Sequence, residues 1–151
     1  QMASRVITAC GGDVKGMKIG VLGVAFKPNT DDVRDAPSLV IIPELQKEGA
    51  EIFAHDPEAQ EEAEKHLKNV HWVKDPYAVA KDADAVVILT EWNEYRALDM
   101  KRLSDSMGVK RLIDMRNIYK PAVMRELGFH YVSIGRPEVT PDSEVKIRKV
   151  S

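Results

Sequence analysis

The stretch KIGVLGVAFKPNTDDVRDAPS, Lys18 to Ser38, decides how the chain is read. A short apolar run, Lys18–Leu22, meets Gly23 as the first strand of a nucleotide-binding βαβ unit would. The residues that follow are Ala25-Phe26-Lys27-Pro28, where a dinucleotide site carries a tight glycine fingerprint. Gly20 and Gly23 alone do not make G-x-G-x-x-G, the pattern that lets backbone approach a pyrophosphate. The turn has a strand entering it, but a lysine, a proline and a run of charges stand where phosphate-cradling glycines belong.

On either side of this stretch, short apolar runs alternate with longer amphipathic ones, the pattern of βαβ units around a mainly parallel sheet. Strands are predicted at Lys18–Leu22, Glu51–His55, Val70–Val73, Ala85–Leu89, Arg111–Asp114 and His130–Ser133. Helical stretches are predicted at about Ser38–Glu48, Glu58–Leu67, Pro76–Lys81, Met100–Ser106 and Pro121–Glu126. The fold class is therefore α/β, a Rossmann-like three-layer sandwich of about six strands. Ala85 to Leu89 has no polar alternation, which places it mid-sheet with both faces covered. Pro37 suits a helix start and Gly49 a helix stop. Pro43 fits less well, because an interior proline costs on the order of 3 kcal/mol; it predicts a kink or a later start.

With 151 residues, the chain suits one globular unit. Its 22 basic and 24 acidic residues leave a net charge of −2, so no overall basic field draws in nucleic acid or an anionic membrane. One cysteine, Cys10, precludes an internal disulfide. No apolar run approaches the roughly 20 residues of a membrane span, and no signal peptide is visible. These features fit a reducing, cytoplasmic setting. His55, His66, His71 and His130 lack the spacing of a metal motif, so no metal site is inferred. The opening QMASRVITAC reads as the last turns of a helix stopped by Gly11 and Gly12. Residues 136–151 carry charges and prolines without apolar periodicity, so they are expected to form a flexible tail.

In open parallel sheets, ligands bind beyond the carboxyl ends of the strands, where strand order reverses. That rule gathers Phe26, Lys27 and the charges through Arg34, then His55-Asp56-Pro57, Thr90-Glu91-Trp92 and Asp114-Met115-Arg116-Asn117 onto one rim. Lys27 as a movable point charge and Arg116 as a planar fork together suit a diphosphate. Against this, Lys27 can be merely solvated and Arg116 paired with Asp114 or Glu91. Asp56 sits where dinucleotide folds place a ribose-binding acid, but it precedes a proline and a helical stretch, and a helix N-cap explains it better. Asp31, Asp32 and Asp35 read as a solvated loop, whereas Arg34 could reach outward to a ligand held by another domain. Trp92 and Tyr95 read as packing residues. Cys10 reads as an apolar contact with nothing nearby to activate it.

The segments GVLGVAFKPNTDDVRDAPS, AHDPEA, VVILTEWNEYRALD and RLIDMRNIY, in this order and spacing, resemble the carboxy-terminal domain of the UDP-glucose/GDP-mannose dehydrogenase family. The resemblance runs from about Gly16 to Val132 and is closest to members acting on UDP-glucose. It implies that residues 1–12 end a central interdomain helix and 13–135 form a UDP-sugar-binding Rossmann-like domain. Such enzymes oxidise the sugar C6 alcohol twice, to UDP-glucuronate, using two NAD⁺ and a cysteine that carries the intermediate. By matching position, Phe26, Lys27 and Arg116 would contact UDP-glucose, and Arg34 would reach NAD held mainly by an amino-terminal domain. The family's cysteine lies in a glycine-rich segment followed by Phe-Pro-Lys-Asp, which this chain lacks, so it should bind without catalysing. The resemblance further implies a homodimer in the whole enzyme. Two other readings are a stand-alone nucleotide-binding or interaction module, and the same domain from a dehydrogenase of GDP-mannose or a UDP-N-acetylhexosamine.

Overall fold

The computed structural model describes residues 2–134 and 137–141. Six strands, β1 (Lys18–Leu22), β2 (Glu51–His55), β3 (Val70–Trp72), β4 (Ala85–Ile88), β5 (Arg111–Asp114) and β6 (His130–Ser133), form one sheet in the order β3-β2-β1-β4-β5-β6. Every pairing between these strands is parallel, with Leu22 beside both His55 and Ile88, and Ile88 beside Asp114. The sheet is thus the predicted one, and its strand order reverses between β1 and β4. All four residues of β4 are buried, as an uninterrupted apolar run in a central strand requires. Val73, predicted as part of β3, still donates from its backbone N–H to Ala54.

Helix α1 (Met2–Ala9) packs on α2 (Ser38–Lys47), the connection from β1 to β2. The α2 stop is a Schellman turn: Ala50 N–H reaches the Leu45 carbonyl and Gly49 N–H the Gln46 carbonyl, with Gly49 at φ +96°. Pro43 lies within α2 and faces solvent. Water can therefore satisfy the carbonyl that its missing N–H leaves free, and the helix runs on from Ser38 to Lys47. The expected helix over Glu58–Leu67 is shorter: α3 spans Gln60–Ala63, with turns carrying the chain on to Leu67. The stretch at Pro76 is a 3-10 helix, Pro76–Val79, capped by the Asp75 carboxylate on Tyr77 N–H. One turn, α4 (Asn93–Arg96), was not foreseen. Helices α5 (Met100–Ser106) and α6 (Pro121–Glu126) lie where predicted.

Because βαβ crossovers are right-handed, connections running outward from β1 to β3 and those running from β3 back through β4 to β6 cover opposite faces. The core joins both layers and includes Ile19, Val21, Ile41, Ile42, Leu45, Val79, Val87, Leu103, Leu112 and Phe129. Cys10 packs within it, and burial pushes its thiol pKa up. Part of the expected tail is built into the fold. Val139 is buried and exchanges two backbone hydrogen bonds with Tyr131 as an antiparallel bridge, apolar burial having outweighed the polar composition around it. Residues 135–136 and 142–151 lie outside the described residues.

Gly20 marks a close contact between sheet and crossover. A Cβ there would fall on the Val79 carbonyl of the 3-10 helix. Gly20→Ala is expected to cost about 1–3 kcal/mol through overpacking of β1, read as a lower denaturation midpoint with an unchanged m-value.

Candidate functional site

The parallel registers bring the segments after β1, β2, β4 and β5 to one edge of the sheet, so the four predicted clusters do share a rim. Two buried aspartates organise it. Asp56, just past β2, accepts at Oδ2 from the backbone N–H groups of Val24 (2.8 Å) and Ala25 (3.0 Å) and from Trp92 Nε1 (3.2 Å). Its Oδ1 accepts from Glu58 N–H (2.9 Å) and Ala59 N–H (2.8 Å). The cap foreseen for Asp56 is real, but it occupies one oxygen only; the other binds the segment leading to Phe26 and Lys27. Neither oxygen is left for a ribose hydroxyl. Together with the segment 23–37, which separates β1 from α2 where a glycine fingerprint would join them directly, this does not fit an NAD site built by this chain alone.

Asp114, the last residue of β5 and fully buried, does the same for the Arg116 loop. Its Oδ1 accepts from Arg116 N–H (3.0 Å), and its Oδ2 from Ile118 N–H (2.8 Å), Tyr119 N–H (3.2 Å) and the Tyr131 hydroxyl (2.6 Å). Sequence reasoning offered Asp114 only as part of the rim cluster and as a partner for Arg116. The available signal was an acid ending a strand with N–H groups two to five residues on, the pattern of an Asx turn. Thr90, also named only as part of a cluster, donates from Oγ1 to the Ala25 carbonyl (2.8 Å) and stands against Gly23, whose φ is +92°.

Trp92 and Tyr95 are buried, as their reading as packing residues anticipates. Tyr95 donates its hydroxyl proton to the His55 carbonyl (3.0 Å), and His55 Nδ1 lies 2.9 Å from the Tyr95 hydroxyl oxygen. His55 Nε2 lies 3.8 Å from Glu94 Oε2. Burial lowers the His55 pKa more than Glu94 and Asp56 raise it, and burial also lifts the Tyr95 and Tyr119 phenols well above their ordinary value.

The candidate ligand residues differ in how they are held. Phe26 is 47% exposed. Lys27 is exposed and makes no ion pair among the described residues, which leaves its ammonium free to move. Arg116 donates from Nη2 to Glu91 Oε2 at 2.7 Å, one of the two pairings foreseen for it. Burial acts to raise the Glu91 carboxyl, but the bond to Arg116, its own backbone N–H and the charges of Arg116 and Arg96 together outweigh that, and Glu91 lies below its ordinary pKa. Arg34 grips Asp32 through Nε and Nη2, both at 3.0 Å, with its side chain 88% exposed. That fork holds the Asp32 carboxyl at about 2.

A parallel sheet whose order reverses at β1 and β4, with Lys27 and Arg116 in the segments at its carboxyl edge, defines the class: a Rossmann-like domain. The family profile of the UDP-glucose/GDP-mannose dehydrogenase family, UDP binding domain, matches residues 20–121, and the chain belongs to this family. It is 50% identical over 137 residues to a UDP-glucose 6-dehydrogenase of Rhizobium meliloti (strain 1021), covering 91% of this chain and 31% of that protein. It is 46% identical over 129 residues to UDP-glucose 6-dehydrogenase TuaD of Bacillus subtilis (strain 168), covering 85% of this chain and 28% of that one. A UDP-glucose dehydrogenase from the archaeon Pyrobaculum islandicum superposes with a TM-score of 0.70 at 34% identity, over 88% of this chain and 28% of that one. The chain thus spans less than a third of the length of these relatives. Among the described residues, no helix is long and apolar enough to cross a membrane.

Two predictions test how the rim is built. Asp56→Ala strands buried N–H donors from three segments and is expected to cost about 3–4 kcal/mol, measured by urea denaturation. For His55, the folded pKa lies below the ordinary value of 6.5, so the unfolded chain takes up the proton first. Stability is full above that value and falls as pH drops through 6.5 towards the folded pKa. A thermal midpoint followed from pH 7.5 to 5 should show this fall, and His55→Gln should reduce it.

Proposed function

We propose that this chain is the part of a UDP-glucose 6-dehydrogenase that holds the nucleotide sugar, with Lys27 and Arg116 over the diphosphate and Phe26 beside them. The observation that carries this reading is that the Lys27 and Arg116 loops both leave the carboxyl edge of one parallel sheet, each fixed at its base by a buried aspartate. Arg116 spends only Nη2 on Glu91, so Nε and Nη1 remain to bind phosphate oxygens. The identities of 50% and 46% to UDP-glucose 6-dehydrogenases favour UDP-glucose over GDP-mannose or a UDP-N-acetylhexosamine.

In this reading the whole protein oxidises UDP-glucose with two NAD⁺, which supply the hydride acceptor. The NAD and the catalytic cysteine are held by an amino-terminal domain outside the chain described. Arg34 is the residue that reaches towards that NAD: its partner Asp32 is solvated, and exposed pairs of this kind exchange partners readily. Residues 1–12 belong to the helix joining the domains, and the exposed Val40 beside α1 lies on the face that the rest of the protein, in a homodimer, would cover. The whole protein would work in the cytoplasm.

Calorimetric titration of the chain with UDP, UDP-glucose, GDP-mannose and NAD⁺ tests this. UDP binding should be measurable and weaken by about tenfold or more in Lys27→Ala and in Arg116→Ala, as loss of a charged hydrogen bond implies. No NAD⁺ should be reduced. Equal binding of GDP and UDP compounds would remove the assignment to UDP-glucose, and turnover by this chain would remove the division of labour between domains.

A further inference from the structure

Arg116 and Arg34 both face a carboxylate at the same edge, yet the two pairs are built differently. Asp32 is solvated and stands two residues from Arg34 in the same loop. Glu91 comes from a different strand end, 25 residues from Arg116, with its side chain 26% and that of Arg116 33% exposed. Glu91 Oε1 is buried and has no hydrogen-bond donor. An ionised carboxylate with one oxygen stranded depends on the donor at its other oxygen, so releasing Arg116 would leave a part-buried charge with no side-chain donor, helped only by its own backbone N–H and the charge of Arg96. The attachment also has geometric content. Arg116 N–H is fixed by Asp114 after β5 and its guanidinium by Glu91 after β4, so the fork is held at both ends of the side chain.

We propose that Glu91 is the positioning residue of the anion site: it anchors the Arg116 guanidinium through Nη2 so that Nε and Nη1 face the ligand, and it does not compete with the ligand for Arg116. This rests on the reading of Arg116 as a diphosphate ligand. A fork held in advance loses little rotamer freedom on binding, whereas a free arginine would have to be ordered by the ligand itself. Lys27, with no such anchor, follows the ligand.

The test has two arms on the chain as it stands. UDP affinity is measured by calorimetry for the parent, Glu91→Ala, Glu91→Asp, Glu91→Gln, Arg116→Ala and the double variant Glu91→Ala/Arg116→Ala. The order of the Arg116 Nε–Hε group is measured by ¹⁵N relaxation without ligand. Glu91→Ala should weaken UDP binding by about as much as Arg116→Ala, on the order of tenfold, with little further loss in the double variant. Glu91→Asp keeps the charge but is one methylene too short to span the contact, and should behave like Glu91→Ala. Glu91→Gln keeps an oxygen at the right place and should recover most of the affinity. Arg116 Nε–Hε should be ordered in the parent and in Glu91→Gln, and mobile in Glu91→Ala. Unchanged or tighter UDP binding in Glu91→Ala, or an Arg116 fork equally ordered without Glu91, overturns the proposal. A parent that binds no UDP, or an Arg116→Ala variant that binds it normally, defeats the nucleotide reading instead, and the relaxation arm then decides by itself whether Glu91 holds Arg116.

Discussion

The Asp56 carboxylate is the contact on which the rim depends. Five donors from the segments after β1, β2 and β4 converge on its two oxygens inside a buried site. Buried N–H groups without acceptors are costly, so these segments can leave the sheet irregularly only because an acceptor stands at their common base. A carboxylate suits the role because, when ionised, it accepts only and can take several donors at once. Asp114 repeats the arrangement one strand beyond β4, so the rim has two anchored bases with the Thr90 to Trp92 segment between them.

This construction separates buried anchors from exposed side chains. The two aspartates are inside and saturated by the protein's own donors, whereas Phe26, Lys27 and the free edge of Arg116 project from the loops those aspartates secure. Between these extremes stands Glu91, part-buried and attached to a single cation. Burial falls from Asp114 through Glu91 to the Asp32–Arg34 pair.

How much of this could be read beforehand differed by element. Strands were legible because an apolar run of four or five residues with no polar alternation has few other uses in a chain of this size. The extent of α3 and the existence of α4 were not: a segment with Glu at four of seven positions, Glu58 to Glu64, satisfies helical composition whether or not the chain continues as a helix, and a single turn such as Asn93–Arg96 carries no period. Val139 was assigned to a loose tail because one apolar residue among prolines and charges gives no signal, and its partner, Tyr131, comes from a strand already paired on its other side with β5. In the site, Lys27 and Arg116 were visible as cations after strand ends. The roles of Asp56 and Asp114 were visible only in part, because a cap can be inferred from neighbours in the chain while donors 17 to 36 residues away cannot.

By itself the sequence determined which segments extend, which coil, and that cations follow β1 and β5, since these are properties of local period and residue type. The tertiary structure decided that β4 lies between β1 and β5, and that Asp56 spends its second oxygen on Val24, Ala25 and Trp92 instead of a ribose. It also decided that Arg116 is tied to Glu91 and not to Asp114 through its guanidinium. The reason is one of distance: hydrogen bonds and burial act over a few ångströms, and only the folded sheet brings residues from three strand ends within that range.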